Sequence, residues 1–354
     1  MAETSIEWTD FTVNFWWGCT KVGPGCDYCY AETWDKRTGG AHWGPHAERR
    51  AIKGASSALA KINRTAPAYH ALHGRWPRVF MHSMSDVFDN AVPYVWREHA
   101  LHQAQLATQT RIQMVTKRIG NVSEMVFPVW QERWPRHIGL MITVCNQAEA
   151  DRDIPKLLDL KARLGIPWAG LSIEPMLGPI SLHRWIGVHH HPDNRVDDPE
   201  TLVAINAVIA AAREKFRAEH GNTGLDWVIC GGESGPHARP MHPDWARSLR
   251  DQCVAAGVPF LFKQWGEWGP GSYNMSTGQA VFRQFKDHLN WVHKASTWVN
   301  GGICMDTKGF VMKNGADMAI ARDEGTFPVT IIHKLGKKAA GRHLDGRTWD
   351  EVPA

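Results

Sequence analysis

The sequence predicts an α/β fold built on a parallel, incomplete βα barrel of the TIM type, followed by an irregular C-terminal extension. One observation is that short apolar runs, typical of strands buried on both faces of a parallel sheet, alternate with longer stretches of helical composition. The other is that three of these runs open just after Trp76-Pro77, Gly165-Ile166-Pro167 and Gly257-Val258-Pro259. Such steps are typical of the turn from a helix into the next strand.

Seven strands are predicted in chain order. They are Phe11–Phe15, Val79–Ser83, Ile112–Thr116, Gly139–Val144, Trp168–Ile173, Trp227–Cys230 and Phe260–Lys263. Helices are predicted between them at Tyr94–Thr108, Ile154–Leu164, Pro199–Glu219 and Pro243–Ala256. The last two have a proline at or near the first helical position, which is a favourable helix start.

Polar side chains follow six of the predicted strands at their C-terminal ends. In order they are Ser83, Ser85 and Asp86; Thr116, Lys117 and Arg118; Asn146 and Gln147; Glu174; Glu233; and Lys263 and Gln264. A single polar strand end is explained by the solvent around loops. Six in succession indicate one site, because the C-terminal ends of barrel strands meet at the same face.

The chain divides into a barrel over residues 1–268 and an extension over residues 269–354 that is expected to pack on the barrel. A polar insertion is predicted near 183–222, and it contains three consecutive histidines, His189 to His191. Adjacent residues do not share a face, so a surface loop is the better interpretation of these histidines than a metal site.

Composition excludes several classes of protein. The 354 residues carry a net charge of +4, from 40 basic and 36 acidic residues, which excludes a polybasic, histone-like protein. With 43% apolar residues the chain can bury a full core and is not disordered. It has no apolar run long enough for a membrane span, and it begins without the features of a signal peptide. We therefore expect a cytoplasmic protein with no membrane partner.

Three of the seven cysteines, Cys19, Cys26 and Cys29, crowd together near the N-terminus with the spacing C-x6-C-x2-C. The other four are scattered through apolar stretches, where buried inert thiols are the ordinary interpretation. Thiolates are soft ligands, so the cluster favours an iron–sulfur centre, in which three ligands leave one iron open. A Cys3His zinc site completed by His42 or His46, or unligated thiols, are the alternatives.

A loop with three cysteines after the first strand of a partial barrel, with Tyr28 directly before the third, resembles the radical S-adenosylmethionine superfamily. The usual spacing there is C-x3-C-x2-C, and the six-residue first gap departs from it. The longer gap, with Ile6 to Asp10 before it, resembles the phage-encoded three-Cys-motif family, a radical-SAM-like group. Further matching segments are Ser83 to Asp86, Thr116 to Arg118, Ile173 to Pro179, Gly231 to Gly235, Phe262 to Gly266 and Lys337 to Arg342.

The resemblance implies a 4Fe–4S cluster on Cys19, Cys26 and Cys29, with S-adenosylmethionine bound beside it. For this cosubstrate it implies Lys117 on the carboxylate, Asn146 on the ribose hydroxyls and Ser85 or Asp86 on the amino group. The remaining residues of the implied site are Tyr28 and Glu174 for the cofactor, and Glu233, Lys263 and Gln264 for the substrate and catalysis. The Gly231-Gly232-Glu233 triplet follows about the sixth strand, whereas in the superfamily it usually follows the second.

Basic and aromatic residues around the expected site fit a nucleotide or DNA substrate. In a phage context the resemblance implies that a 5′-deoxyadenosyl radical rearranges or modifies a base, as in DNA hypermodification or the isomerisation of a modified thymidine. A reductant protein would supply the electron. A second hypothesis, from a different class, is a zinc- or cluster-stabilised nucleic-acid-binding protein without radical chemistry.

Overall fold

A computed structural model describes residues 4–131, 133–186, 224–294 and 301–353 of the chain. Its main feature is a seven-stranded sheet in which every strand is parallel to the strand that follows it, with the first and seventh strands at the two edges. The strands are β1 (Phe11–Val13), β2 (Arg78–Met81), β3 (Arg111–Thr116), β4 (Ile138–Thr143), β5 (Ala169–Ile173), β6 (Trp227–Gly231) and β7 (Phe260–Gln264). The predicted partial barrel is therefore confirmed.

Helices connect the strands, as a parallel sheet requires. They are α1 (Tyr30–Arg37) and α2 (Ala55–His73) before β2, α3 (Tyr94–Leu106), α4 (Ile119–Trp130), α5 (Gln147–Leu164), α6 (His183–Ile186) and α7 (Pro243–Ala255). A short antiparallel ribbon pairs Trp16–Trp17 with Arg50–Ala51 next to β1.

All seven predicted strands are present, with ends that differ from the prediction by no more than two residues. The predicted helices that begin at Tyr94 and Pro243 are also confirmed. The prediction that α5 begins at Ile154 is wrong, because the helix begins at Gln147 and runs through Pro155. Helices α2 and α4, which contain Pro67 and Pro128, were not predicted. Prolines inside these helices conceal them from a search for helix patterns. The helix predicted at 199–219 and most of the insertion near 183–222 lie outside the described residues.

The two faces of the sheet bury different residues. Val79 and Met81 of β2 belong to the large core under the helices, whereas Phe80 between them faces the concave side. There it packs with Trp8, from the N-terminal segment, and with Trp227. The floor of the concave side is therefore an apolar layer. Polar residues occur on this side at the C-terminal ends of the strands.

The predicted turns into β2, β5 and β7 are present. Gly74, Gly165 and Gly257 have φ angles of 69°, 67° and 60°, in the left-handed region that ends a helix, and the chain then enters the strand within a few residues. Each turn returns the chain to the side of the sheet where the strands begin. The next strand therefore runs in the same direction and ends on the same side as the others.

The extension after β7 contains an antiparallel sheet that the sequence analysis did not predict, because its strands are short and separated by glycine-containing turns. The strands and helices of the whole extension are β8 (Trp268–Gly269), β9 (Ser272–Tyr273), β10 (Ala280–Val281), β11 (Arg283–Phe285), α8 (His288–Lys294), β12 (Ile303–Met305), β13 (Val311–Met312), α9 (Gly315–Asp323), β14 (Val329–Lys334) and α10 (Lys337–Ala340). The last residues pack back on the barrel, where Phe262 N donates to Trp349 O at 2.9 Å and Trp227 Nε1 to Glu351 O at 2.8 Å. The domain division at 268/269 stays a prediction.

No helix in the described parts of the chain combines the length and the apolar character needed to cross a membrane.

Candidate functional site

A cavity of about 430 Å³ opens at the C-terminal ends of the strands. Its lining contains every predicted site residue except Asn146. These are Cys19, Cys26, Cys29, Tyr28, Ser85, Asp86, Lys117, Glu174, Glu233, Lys263 and Gln264. The residues come from the cysteine loop and from the ends of β2, β3, β5, β6 and β7. Sequential strand order in the sheet brings these distant positions to one face.

The cysteine loop, which we define as residues 18–30, lies across the mouth of the barrel. It includes one turn of 3-10 helix at Pro24–Cys26, and Cys29 stands at the start of α1. Its three thiols are free and half-buried, so they reach the cavity without being sealed in the core. At Gly25 a Cβ atom would lie 2.3 Å from Cys145 Sγ, so glycine is required for the loop to approach β4 this closely.

Two buried arginines hold the first part of this loop. Arg49 donates to Thr20 Oγ1 at 2.7 Å and to Asp89. Arg118 donates to the carbonyl oxygen of Thr20, to Asp86 Oδ2 at 2.9 Å and to Cys19 Sγ at 3.5 Å. Burial raises the pKa of the Cys19 thiol to about 12, although Arg118 opposes that rise.

Asp86 is a buried carboxylate whose contacts come from its own chain. It accepts hydrogen bonds from Thr116 Oγ1 at 2.9 and 3.0 Å, from Lys117 N at 3.1 Å and from Phe88 N at 2.9 Å, besides Arg118. These contacts fix the end of β3. The geometry therefore makes Asp86 an organiser of the loop that carries Lys117 and Arg118.

Lys117 extends toward the second part of the cysteine loop. A Cβ at Gly25 would lie 3.5 Å from Lys117 Cε. Burial lowers the pKa of this lysine, but its interactions with Cys26, Cys145, Cys29 and Asp86 together raise it by more, so the net change is upward. Lys117 is therefore an ammonium group next to the thiols, suited to an anionic group bound there.

A second polar cluster lies at the ends of β5 and β7. Lys263 Nζ and Glu174 Oε1 are 2.8 Å apart, and Ser172 Oγ donates to Glu174 Oε2 at 3.1 Å. Gln264 donates from Nε2 to Ser234 Oγ at 2.9 Å, while its buried Oε1 has no partner among the described residues. That oxygen is an unused acceptor of a residue that lines the cavity.

Glu233 connects the end of β6 to the cysteine loop through Arg239. The guanidinium binds Glu233 through Nε at 2.9 Å and Nη2 at 2.7 Å, and it donates to Asp27 Oδ2 at 3.0 Å and Pro24 O at 2.8 Å. Its carbon lies 5.1 Å from the centre of the Tyr28 ring. Arg239 is thus the third arginine that braces this loop.

In the Gly231–Glu233 triplet, close packing of the backbone requires glycine at position 232. A Cβ at Gly232 would lie 1.9 Å from Trp265 O, because the chain segments after β6 and β7 contact each other through their backbones. Gly232 N donates to Gln264 O at 2.9 Å, and Glu267 N donates to Glu233 O at 2.9 Å. The triplet follows the sixth strand of the sheet, as the sequence indicated.

His82, directly after β2, is a lining residue that the sequence analysis did not include in the site. It is 1% exposed and has a φ of 71°, a strained value for a non-glycine residue. Ser85 Oγ donates to Trp16 O at 2.9 Å and lies 2.7 Å from His82 Nδ1. Burial lowers the pKa of His82 to about 3, so the ring is neutral. Its Nε2 has no partner in the described part of the chain.

Sequence reasoning also missed the role of the N-terminal segment. Glu7 and Trp8 line the cavity, and Glu7 Oε2 and Trp8 Nε1 are buried without a partner in the residues that the structure covers. Trp8 O accepts from Gln113 Nε2 at 3.3 Å, which ties the segment to β3. Ile6 to Asp10 contributed only to the resemblance, because the position of this segment across the concave face depends on the folded sheet.

Asn146 lies outside the cavity lining. Its Oδ1 accepts from Glu149 N at 2.9 Å, which makes it the N-cap of α5. This contact occupies the acceptor of the amide, so a ribose contact would use Nδ2. The predicted role of Asn146 stays a prediction.

Of the two histidines that could complete a zinc site, His42 is engaged elsewhere. His42 Nδ1 lies 2.7 Å from Asp35 Oδ1, and His42 N donates to Asp35 Oδ2 at 3.0 Å. His46 is exposed. Within the described ranges, no three His, Cys, Asp or Glu side chains are arranged to hold a metal ion.

The donor set nevertheless suits an iron–sulfur cluster. The ligands of a cluster bind different iron atoms, so they stand further apart than the ligands of one zinc ion, with its Zn–S bonds of about 2.3 Å. Three thiols at one cavity, with Lys117 beside them and buried polar atoms without partners at Gln264 and His82, match a cluster with a polar molecule bound next to it.

The fold and site define a partial βα barrel whose strand ends and cysteine loop line the same cavity. The chain belongs to the family described as "Protein of unknown function (DUF5131)", whose model matches residues 3–353. None of the curated proteins compared with it is significantly similar.

Among solved structures, the chain is similar to spore photoproduct lyase. With the lyase complexed with dinucleoside spore photoproduct it shares 14% identity at a TM-score of 0.30, over 67% of this chain and 59% of that one. With a cysteine-to-serine mutant of the lyase it shares 13% identity at a TM-score of 0.34, over 92% and 76% of the two chains. The chain therefore spans about 59% of the first of these proteins, and we draw no argument from a likeness this distant.

Proposed function

We propose that this protein is a radical S-adenosylmethionine enzyme with a 4Fe–4S cluster on Cys19, Cys26 and Cys29. The observation that carries the proposal is that these three thiols line one cavity with Lys117 at the C-terminal end of a parallel partial barrel. Three protein ligands leave one iron open for a small molecule. Such a cluster, when bound, would supply the electron that splits S-adenosylmethionine into methionine and a 5′-deoxyadenosyl radical.

Different residues of the chain would bind the different polar groups of the cosubstrate. Lys117 offers its charge to the carboxylate. Ser85 and Asp86 were the candidates for the amino group, and Asp86 already accepts hydrogen bonds from its own chain, which favours an indirect role for it as the organiser of the β3 end. Glu174, which lines the cavity, and Asn146 Nδ2 are the candidates for the ribose.

For the substrate we propose the base of a nucleotide or of DNA. The cavity provides the donor Trp8 Nε1 and the acceptor Gln264 Oε1, and both are buried without a partner in the residues that the structure covers. A planar base with donors and acceptors along its edge satisfies both kinds of group. Lys263 and Glu233, whose partners are Glu174 and Arg239, would orient the substrate. A base in a duplex would have to be flipped out to enter the cavity.

Anaerobic reconstitution with iron, sulfide, S-adenosylmethionine and a low-potential reductant tests the enzyme class. We expect brown protein with the visible absorption of thiolate-bound iron, and 5′-deoxyadenosine as a product. The Cys26→Ala variant is the control, and it should give neither. Colourless wild-type protein with stoichiometric zinc would contradict the proposal and favour the alternative, a zinc-stabilised nucleic-acid-binding protein.

A salt titration tests the nucleic-acid substrate. Lys337, which lines the cavity, and Lys338 are exposed near its mouth, whereas Arg342 contacts Asp350. If the two lysines bind phosphates, log affinity for DNA should fall linearly with log salt, by about 0.7 to 0.9 per phosphate. Changing both lysines to Glu should flatten the slope and leave iron content unchanged. Absence of binding to single- and double-stranded DNA at low salt would contradict a DNA substrate and favour a free nucleotide.

A further inference from the structure

We propose that Arg118 is a positioning residue that raises the reduction potential of the cluster through its contact with the Cys19 sulfur. The inference rests on the proposed function, because it requires a cluster on the three cysteines. It adds to that function a residue that sets how readily the electron is accepted. The observation behind it is that Arg118 Nη1 lies 3.5 Å from Cys19 Sγ, within the distance of an N–H···S hydrogen bond.

The guanidinium is held in this position from several sides. Asp86 Oδ2 accepts from Nη1 at 2.9 Å, the carbonyl oxygen of Thr20 accepts from Nη2, and Asp89 Oδ1 lies 3.7 Å from Nη2. The side chain is only 8% exposed. A planar, buried group with this many contacts has little freedom to turn its N–H away from the sulfur.

The chemical consequence follows from charge. Taking up one electron makes the cluster and its thiolates more negative, with no proton required. A hydrogen bond to a ligand sulfur, and a positive charge beside it, stabilise the reduced form more than the oxidised form. Burial strengthens both effects, because solvent does not screen them.

The positive charge of Arg118 also compensates the negative charges of two neighbouring carboxylates, Asp86 and Asp89. Without Arg118, Asp86 would lose its arginine partner, and Asp89 would keep only Arg49. Their negative charge would then oppose reduction. The loss of the hydrogen bond and the uncompensated carboxylate charge both destabilise the reduced cluster. Removing Arg118 should therefore lower the reduction potential.

Arg49 provides a matched control. It is also a buried arginine, it also binds Asp89, and it also contacts Thr20, but its hydrogen bonds go to oxygen atoms. If the reduction potential changed only because a buried cation near the loop was lost, substitutions of Arg49 and of Arg118 would change it equally. An effect of the contact with sulfur would be larger at Arg118.

The experiment is a redox titration of the reconstituted protein followed by electron paramagnetic resonance, with iron content and circular dichroism measured for each variant. For Arg118→Gln we expect the ratio of reduced to oxidised cluster at a fixed potential to fall at least tenfold, which is a shift of about 59 mV for one electron. Arg118→Lys should shift the midpoint in the same direction by less, and Arg49→Gln should shift it less than Arg118→Gln does.

An unchanged midpoint in an iron-replete Arg118→Gln variant would overturn the proposal, as would an equal or larger shift in Arg49→Gln. If Arg118→Gln does not fold or retain iron, Arg118→Lys decides: a lowered midpoint supports the proposal and an unchanged one overturns it. Wild-type protein that takes up no iron would instead contradict the proposed function on which this inference rests.

Discussion

The cysteine loop and the small C-terminal sheet are held in place by different forces. Apart from Gly18, the residues of the loop are half-buried or exposed, and its contacts with the barrel include directed hydrogen bonds from Arg49, Arg118 and Arg239. The sheet is held by an apolar cluster of its own. That cluster consists of Phe285, Cys304, Met312, Met318, Ala321, Val329 and Ile331.

The difference shows how each region responds to substitution. Apolar packing is non-directional, so the loss of one side chain from the C-terminal cluster weakens it by degrees. A buried charged contact is directional, and removing one partner leaves the other unsatisfied. A few arginines can therefore place the three thiols accurately, and the position of the loop depends on each of them.

The largest expected effect concerns the thiols. Replacing Cys19, Cys26 or Cys29 by Ala should remove the cluster and the activity, because three ligands are the minimum that holds it with one open iron. Iron and sulfide analysis after anaerobic reconstitution measures the loss. Cys304→Ala, in the apolar cluster of the C-terminal sheet, is the control: it should retain iron and lose about 1–3 kcal/mol of stability. Iron that survives the loss of Cys26 would refute the ligand assignment.

The next effect concerns S-adenosylmethionine. Lys117→Ala should weaken binding by about 1.5–3 kcal/mol, the range for a hydrogen bond to a charged group, with normal iron content. Asn146→Ala should weaken it in the same range, and should also cost about 1 kcal/mol of stability through the lost helix cap. Calorimetry measures the affinity and denaturant unfolding the stability.

The control for these two variants is Met312→Ala in the C-terminal sheet, which should lower stability and leave the affinity unchanged. Unchanged affinity in both Lys117→Ala and Asn146→Ala would show that the assignment of the cosubstrate site is wrong, even with the cluster present.

Arg239→Ala tests the brace between Glu233 and the loop. Glu233 is buried, and loss of its guanidinium partner should cost about 2 kcal/mol of stability. It should also expose the loop near Pro24 to proteolysis, because the hydrogen bonds to Pro24 and Asp27 are lost. Arg322→Ala removes a fully exposed pair with Asp323 in the C-terminal region and should leave stability unchanged, because solvent screens such a pair. Equal effects of the two substitutions would contradict the comparison.

The last prediction is a pH dependence that compares two buried histidines. Burial lowers the pKa of His82, at the cavity, to about 3, and that of His242, which contacts Thr330 of β14, to about 4. Between these values and 6.5 the unfolded chain binds protons that the folded chain does not. Stability should therefore fall as pH falls from about 6.5 toward 4, by up to roughly 1 kcal/mol per pH unit for each histidine.

Thermal unfolding of His82→Gln and His242→Gln across this range measures the contributions. Each variant should show a shallower loss of stability on acidification than the wild type. A slope unchanged in both variants would show that other groups cause the acid sensitivity.

Much of the fold was predictable because the signals are local. The steps into Pro77, Pro167 and Pro259 marked the ends of helices, and the apolar runs after them marked strands within two residues of their observed bounds. Helices α2 and α4 were missed because tertiary packing maintains them despite Pro67 and Pro128. The antiparallel sheet of the extension was missed because its strands of two to six residues carry too short a pattern.

The sequence by itself determined which residues could form the site, since the spacing of Cys19, Cys26 and Cys29 and the polar strand ends are properties of the chain. Only the tertiary structure decided how they are held. Arg118 contacts Cys19, 99 residues away in the sequence, and Arg239 contacts Pro24, 215 residues away. Asn146, by contrast, caps its own helix. The physical reason is that side-chain contacts of this kind depend on strand order and on the direction of each side chain, and neither is encoded in local spacing.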